Sequence, residues 1–142
     1  MKKKIIIISV VVIIVMIGLS FNQNDNKTSN TVFHVTLADS NLYKNGIYSD
    51  AFTVNEGNYI FKFVPNGDSP QLLTILLKGE SHDFSENFKL KGTLHQTGIS
   101  EYYTWDYEGQ KEFSIPVQQK IGIEINPNGD ELGSVSVDIL RN

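Results

Sequence analysis

From Thr31 onward, apolar and polar residues alternate over short runs, and this pattern limits the fold more than any other feature of the sequence. Apolar residues occupy every second position from Phe33 to Leu37, from Tyr103 to Tyr107 and from Ile121 to Ile125. Successive side chains of a β-strand point to opposite faces, so this period predicts strands with one buried face. The same pattern recurs at Phe52–Val54, Tyr59–Phe63, Phe88–Leu90, Phe113–Val117 and Val135–Ile139.

The run Leu72–Leu77, LLTILL, is apolar at both alternating positions except for Thr74. A strand that is apolar on both faces is typical of the middle of a sheet. Strand-like runs are separated by turn residues, including Pro-Asn-Gly-Asp at 65–68 and again at 127–130, where proline favours a type I turn and glycine accepts a left-handed conformation. About eight or nine strands without an amphipathic helix predict an all-β domain, an antiparallel β-sandwich or jelly roll.

An uncharged apolar run, Ile5–Phe21, precedes this domain and follows three lysines at positions 2–4. Its 17 residues would span about 25 Å as a helix, within the lower range for crossing a membrane. We predict a cytoplasmic basic tail at 1–4, a transmembrane signal anchor at 5–21, a flexible polar linker at 22–30 and an extracytoplasmic domain at 31–142. Gly18 and Ser20 leave open the alternative that the segment is a signal peptide cleaved after export.

Charge supports this orientation and excludes one class of partner. Residues 30–142 carry eight Lys or Arg and fifteen Asp or Glu, a formal net charge of −7. Basic residues before the span and an acidic body after it fit the positive-inside rule, with the C-terminal domain outside the cell membrane. An acidic domain lacks the clustered basic face that phosphate contacts require, so we expect no nucleic-acid partner. The absence of cysteine excludes disulfides, thiol nucleophiles and cysteine-ligated zinc.

The segment 52–66, FTVNEGNYIFKFVPN, resembles the central signature of GOLD (Golgi-dynamics) domains. In those β-sandwiches an aromatic strand is followed by G-x-Y-x-F-x-F and an asparagine at the next turn, which here correspond to Gly57, Tyr59, Phe61, Phe63 and Asn66. The resemblance implies a sandwich without catalytic machinery that binds protein or lipid. GOLD-domain cargo receptors differ in having a coiled coil, a C-terminal span and paired cysteines, so the resemblance implies no role in vesicle traffic.

Two clusters are candidates for a site. Glu80, His82, Asp83 and Glu86 lie in what the pattern predicts as a polar loop, where nitrogen and oxygen atoms could bind a divalent metal or a His-Asp pair could act as a base. The alternative is a solvated acidic loop. Asn126, Asn128, Asp130 and Glu131 also offer oxygen ligands for calcium, although they do not match the twelve-residue calcium-loop pattern.

The second cluster is aromatic. Alternation places Tyr103, Trp105 and Tyr107 on one face of a strand. If this face is exposed, it forms a platform for a sugar ring or for a partner's side chain. If it points inward, it belongs to the core.

These observations favour a membrane-anchored, extracytoplasmic, non-catalytic binding or structural module that engages an envelope protein. Because no catalytic constellation is readable, we expect neither an enzyme nor a bound cofactor. The alternatives are a carbohydrate-binding domain that uses the Tyr103, Trp105 and Tyr107 face, a metal protein that uses the 80–86 segment, and an assembly subunit that pairs through an exposed strand edge.

Overall fold

The computed structural model describes residues 30–142, and within this range the alternating runs form nine strands. A short 3₁₀ helix, Ser40–Leu42, lies between the first two strands, and its preceding residue Asp39 accepts a hydrogen bond from the Asn41 N–H. The strands are β1 (Thr31–Leu37), β2 (Tyr48–Val54), β3 (Gly57–Pro65), β4 (Leu72–Lys78), β5 (Asp83–Gln96), β6 (Glu101–Glu108), β7 (Glu112–Ile115), β8 (Gln119–Asn126) and β9 (Val135–Arg141).

The strands form two antiparallel sheets packed face to face, which confirms the predicted all-β sandwich. The first sheet has the order β1-β9-β3-β7, and the second has the order β2-β8-β4-β5-β6. The doubly apolar run Leu72–Leu77 lies in β4, the central strand of the second sheet as its sequence predicts.

The core lies between the two sheets and consists of the apolar residue from each alternating pair. Within it, Phe61 and Phe63 of β3 pack against Phe88 of β5 at ring-centroid distances of 5.5 and 4.8 Å. Apolar burial of this kind contributes about 25 cal/mol per Å² of area removed from water, so this interior is the main source of stability. The fully buried side chains include Leu37, Leu73, Ile75, Leu77, Phe88, Ile121, Ile125, Val137 and Ile139.

The sandwich has two distinct ends. Thr31 pairs with Leu140, and the Arg141 N–H donates to the Asn30 carbonyl, so the described chain begins and finishes at one end. The connections 66–71 and 127–134 lie at the other end, because Pro65 pairs with Val135 there. We call these the terminal end and the distal end.

The two Pro-Asn-Gly-Asp segments adopt different turns. In the first, the Ser69 N–H donates to the Asn66 carbonyl, and Gly67 keeps a negative φ. In the second, the Asp130 N–H donates to the Pro127 carbonyl, and both Asn128 and Gly129 have positive φ, 55° and 95°. The second is therefore not the type I turn predicted but its mirror image, which asparagine and glycine both tolerate.

The predicted anchor at 5–21 and linker at 22–30 lie outside the described residues, apart from Asn30. Among the residues that are described, no helix is long and apolar enough to span a membrane.

Candidate binding surface on the β5–β6 ribbon

Strands β5 and β6 continue past the end of β4 as a two-stranded ribbon, and the inner part of β6 lies beside β3. The last pairing of β5 with β4 joins Lys89 to Leu72, whereas β5 pairs with β6 as far as Gln96 and Glu101. Seven residues of β5, 90–96, therefore lie past the end of β4, which corresponds to about 23 Å of strand, and only Leu90 among them still bonds to the Gln71 carbonyl before β4. We call residues 90–107, including the turn at 97–100, the ribbon.

The aromatic face of the ribbon passes gradually from core to solvent. Tyr103, Trp105 and Tyr107 share a face, as predicted, but their burial differs. Tyr107 is 1% exposed, Trp105 is half-buried and Tyr103 is 55% exposed. Each of the two interpretations made from the sequence therefore describes one end of the same strand: Tyr107 is core, and Tyr103 is surface.

Tyr107 fastens the base of the ribbon to the sandwich. Its hydroxyl donates a hydrogen bond of 2.6 Å to the Pro70 carbonyl, and its ring packs on Phe63 at 5.1 Å. Burial raises the pKa of Tyr107 well above its usual value, with a further contribution from the Asp130 carboxylate. The phenol therefore stays protonated, and a donor, across the physiological pH range.

Two glycines fix the position of Trp105. A Cβ atom on Gly92, the residue directly opposite in β5, would lie 2.8 Å from the indole ring, and one on Gly67 would lie 3.3 Å from it. The indole thus fills space that a side chain at Gly92 would occupy. On its outer side it stacks with Tyr103, at 5.7 Å between ring centroids and 26° between ring planes.

The outer half of the ribbon exposes apolar groups. Leu94 lies opposite Tyr103 on the same face and is 42% exposed, and Ile99 at the turn is fully exposed. On the other face, Tyr102 stacks on His95 at 4.9 Å. Neighbouring exposed apolar residues such as Leu94 and Tyr103 are typical of contact surfaces.

Lysines pair with the carboxylates at the base of the ribbon. Lys91 Nζ lies 2.5 Å from Glu108 Oε1, and Lys111 Nζ lies 2.6 Å from Asp106 Oδ2. The hydrogen bond to Glu108 raises the pKa of Lys91. The charges at the base of the ribbon are therefore balanced in pairs, whereas Glu101 near the turn bonds to the Gln96 amide.

The predicted metal-binding segment has a different structure from the one expected. The loop comprises only residues 79–82, because Asp83 and Glu86 belong to β5. His82 stacks on Phe113 at 5.7 Å, and the Glu86 carboxylate accepts the N–H groups of Asn87 and Gln110. Within residues 30–142, neither Glu80 and its neighbours nor any other three His, Asp or Glu side chains are grouped so that they could hold one metal ion.

In the second candidate loop, around 126–131, side-chain oxygens accept hydrogen bonds from the backbone of the loop itself. Asn126 Oδ1 accepts the Asn128 N–H, and Asp130 Oδ1 accepts the Gly133 N–H. These contacts explain the polar residues of the loop as turn-forming groups.

A further polar chain, which the sequence does not reveal, crosses β1 and β9 on the outer face of the first sheet. His34 Nδ1 lies 2.5 Å from Asp138 Oδ1, and His34 Nε2 lies 3.4 Å from Thr36 Oγ1. A hydroxyl, an imidazole and a carboxylate in this order resemble an activated nucleophile. However, the hydroxyl contact is long, and strand amides lie in the plane of the sheet rather than pointing at an oxygen above it. We interpret the chain as a surface hydrogen-bond network.

Comparison with protein-family models, curated proteins and solved structures finds no significant match for this chain.

Proposed function

We propose that residues 30–142 form an extracytoplasmic, non-catalytic binding module, held at the cell membrane by the anchor at 5–21, and that the outer half of the ribbon is its contact surface. The observation that carries this proposal is the group formed by Leu94, Tyr103 and Trp105, with Ile99 at the turn, which lies past the end of β4. Aromatic side chains of this kind bury a large area at a small entropic cost on binding.

The direction of the ribbon supports a partner beyond the membrane. The ribbon leaves the distal end, whereas residue 30, to which the linker attaches, lies at the terminal end. A linker of nine residues spans at most about 30 Å. Because the linker attaches at the opposite end, the tip of the ribbon is free to reach a partner beyond the bilayer.

A protein partner fits this surface better than a glycan. Tyr107 is buried, so the aromatic platform consists of two rings instead of three, and its neighbours Leu94 and Ile99 are aliphatic. Aliphatic groups pack against a protein but add little to the stacking of a sugar ring. A carbohydrate-binding role that uses Tyr103 and Trp105 remains the second candidate, because their rings are adjacent and partly exposed.

The test is site-specific photo-crosslinking of the full chain in its membrane. The photoreactive residue p-benzoylphenylalanine replaces Ile99 in one variant and Leu132, an exposed apolar residue at the same end but off the ribbon, in a matched control. We expect a discrete protein adduct from position 99 that is absent from position 132 and is lost on Trp105→Ala. Equal labelling at both positions, or none at 99, would contradict a protein-binding ribbon. A glycan-array signal lost on Trp105→Ala would select the second candidate.

A further inference from the structure

The outer edge of β6 is less protected than the other sheet edges among residues 30–142. The edge strands of the two sheets are β1, β7, β2 and β6. Strand β1 is bulged between Thr31 and Phe33 and lies beside β2, where Phe33 and Phe52 are in contact at 5.0 Å. Strand β7 has four residues and is followed by Pro116. Strand β6 has eight residues, contains no proline and keeps an unbroken register with β5. Bulges, shortness and proline are the usual ways of protecting an edge.

The hydrogen-bond pattern identifies which backbone groups of β6 face outward. The Leu90 N–H donates to the Gln71 carbonyl, so the even-numbered residues of β5 direct their backbone groups away from β6. Leu90 lies opposite Tyr107, Gly92 opposite Trp105 and Leu94 opposite Tyr103. In an antiparallel pair these are the non-hydrogen-bonded positions, so the N–H and C=O groups of Tyr103, Trp105 and Tyr107 point to the open edge.

Only the base of this edge is closed. The outward N–H of Tyr107 donates to Asp106 Oδ1 at 2.8 Å, and the other oxygen of the same carboxylate binds Lys111. From Glu101 to Trp105, no strand of the described chain pairs with the outer edge of β6. In the open stretch, the backbone N–H and C=O groups of Tyr103 and Trp105 are available for hydrogen bonds. These two residues are two positions apart, which is the spacing at which a strand bonds to a neighbouring strand.

A groove beside this edge has room for side chains. It has a volume of about 520 Å³, lies between β6 and β3, and is lined by Phe61, Phe63, Trp105 and Lys111 among others. Strand β7 pairs with β3 only as far as Ile60, and the Phe61 N–H donates to the Lys111 carbonyl, so the groove opens beyond Phe61, where β3 has no partner strand on that side within the described chain. Lys111 binds Asp106 and lies 5.8 Å from the centroid of the Phe63 ring.

We propose that a segment of the partner protein binds in extended form as an added strand along β6, paired with the backbone of Tyr103 and Trp105. Alternate side chains of the segment enter the groove beside Phe63 and Trp105, and the others face solvent. Beside Trp105 the segment is partly apolar, because Asp106 and Glu108 at the base of the edge are already paired with Lys111 and Lys91. This inference rests on the proposed function and adds the mode of recognition.

The test compares two substitutions of one residue. Tyr103→Ala and Tyr103→Pro both remove the ring, but only proline removes the outward N–H, and it leaves the bonds between β5 and β6 in place. The probe is a phage-displayed library of random 12-residue peptides, selected on the full chain in detergent micelles. We expect the enriched peptides to bind Tyr103→Pro at least tenfold more weakly than Tyr103→Ala, since a lost hydrogen bond and a blocked edge together exceed about 1.4 kcal/mol.

Amide hydrogen exchange in the unmodified chain gives a second readout that does not depend on the proline variant. On adding the selected peptide, exchange at the Tyr103 and Trp105 N–H groups should slow at least tenfold, while exchange at Tyr102 and Thr104, which already pair with β5, should not change.

Three results would overturn strand addition: no enriched peptide, equal binding to the two Tyr103 variants, or unchanged exchange at Tyr103 and Trp105. If both Tyr103 variants bind the peptide equally and more weakly than the unmodified chain, the proposed contact surface is retained and only the added strand is rejected. If both variants bind as tightly as the unmodified chain, the surface itself is rejected. Self-association of the full chain that Tyr103→Pro abolishes would assign the edge to a second copy of this chain and would contradict a separate partner.

Discussion

Two buried tyrosines differ in whether their hydroxyls have hydrogen-bond partners. The Tyr107 hydroxyl donates to the Pro70 carbonyl, whereas the Tyr43 hydroxyl is buried without a partner among the described residues. A buried polar atom without a partner loses its hydration and gains nothing in exchange. Tyr43 therefore contributes to stability through its ring alone.

The two tyrosines give a matched pair of substitutions. Tyr43→Phe should leave the free energy of unfolding unchanged or raise it by up to about 1 kcal/mol, because it removes an unpaired hydroxyl. Tyr107→Phe should lower it by about 1–2 kcal/mol, because the buried Pro70 carbonyl loses its donor. Urea unfolding of both variants measures the difference. A Tyr43→Phe loss as large as that of Tyr107→Phe would show that the Tyr43 hydroxyl is paired in solution.

At the scale of single elements, the ribbon depends on a missing side chain. Gly92 lies opposite Trp105, and the indole occupies the space that a Cβ atom at Gly92 would need. The position of the Trp105 ring, on which Tyr103 stacks, thus depends on the absence of a side chain at Gly92.

Gly92→Ala tests this arrangement. The added methyl group must displace the indole, so the fluorescence emission of this single tryptophan should shift to the red, and the free energy of unfolding should fall by on the order of 1 kcal/mol. Gly98→Ala is the control, because a Cβ atom there would have no neighbour within 4 Å. Identical emission spectra for the two variants would argue against the packing of Trp105 on Gly92.

Alternation predicted the strands well, but it did not predict their lengths. The apolar period continues from Phe113 to Val117, yet β7 ends at Ile115, because Ile115 lies opposite Gly57, the first residue of β3, and Val117 is 52% exposed. Conversely, β5 is 14 residues long although only Phe88 and Leu90 mark it clearly. Gly92 interrupts the apolar period of this strand, since Trp105 of the opposite strand fills that position.

The same limit applies to the candidate site. The sequence places Tyr103, Trp105 and Tyr107 on one face, but how deeply each ring is buried depends on where β4 stops beside β5. That boundary is set by tertiary pairing. Leu94 and Ile99 complete the surface, and their signal in the sequence is the alternation Leu90, Gly92, Leu94 followed by the turn residue Gly98. Glu86 is predicted as a loop residue, but it lies in β5 opposite Ile75, and its carboxylate accepts the Gln110 N–H.

At the scale of the whole molecule, stability should depend on tyrosine protonation at high pH. Burial, followed by Glu131 and Asp130, raises the pKa of Tyr43; burial and the Asp50 carboxylate raise that of Tyr48 to about 12, and burial raises that of Tyr107. The ordinary value is 10.0. Because the folded-state pKa values are the higher ones, this contribution is complete below pH 10 and is lost as the pH rises through 12.

We therefore expect the urea midpoint to fall steadily between about pH 10 and 12, with the phenolate absorbance of Tyr43, Tyr48 and Tyr107 at 295 nm rising at higher pH in the folded protein than in the unfolded one. Tyr107→Phe should reduce the steepness of the fall. A midpoint that is constant over this interval would contradict the raised pKa values.

The opposite positions of residue 30 and the ribbon have a mechanical consequence. If the linker is fixed to a membrane and the ribbon to a partner, any tension between the two runs lengthwise along the strands. Strand β1 would then be pulled parallel to β9, and the six aligned residue pairs from Thr31–Leu140 to Leu37–Val135 would share the load in shear instead of opening one after another. A domain loaded in this direction would resist unfolding under force far longer than a domain in which the same hydrogen bonds break one at a time from one end.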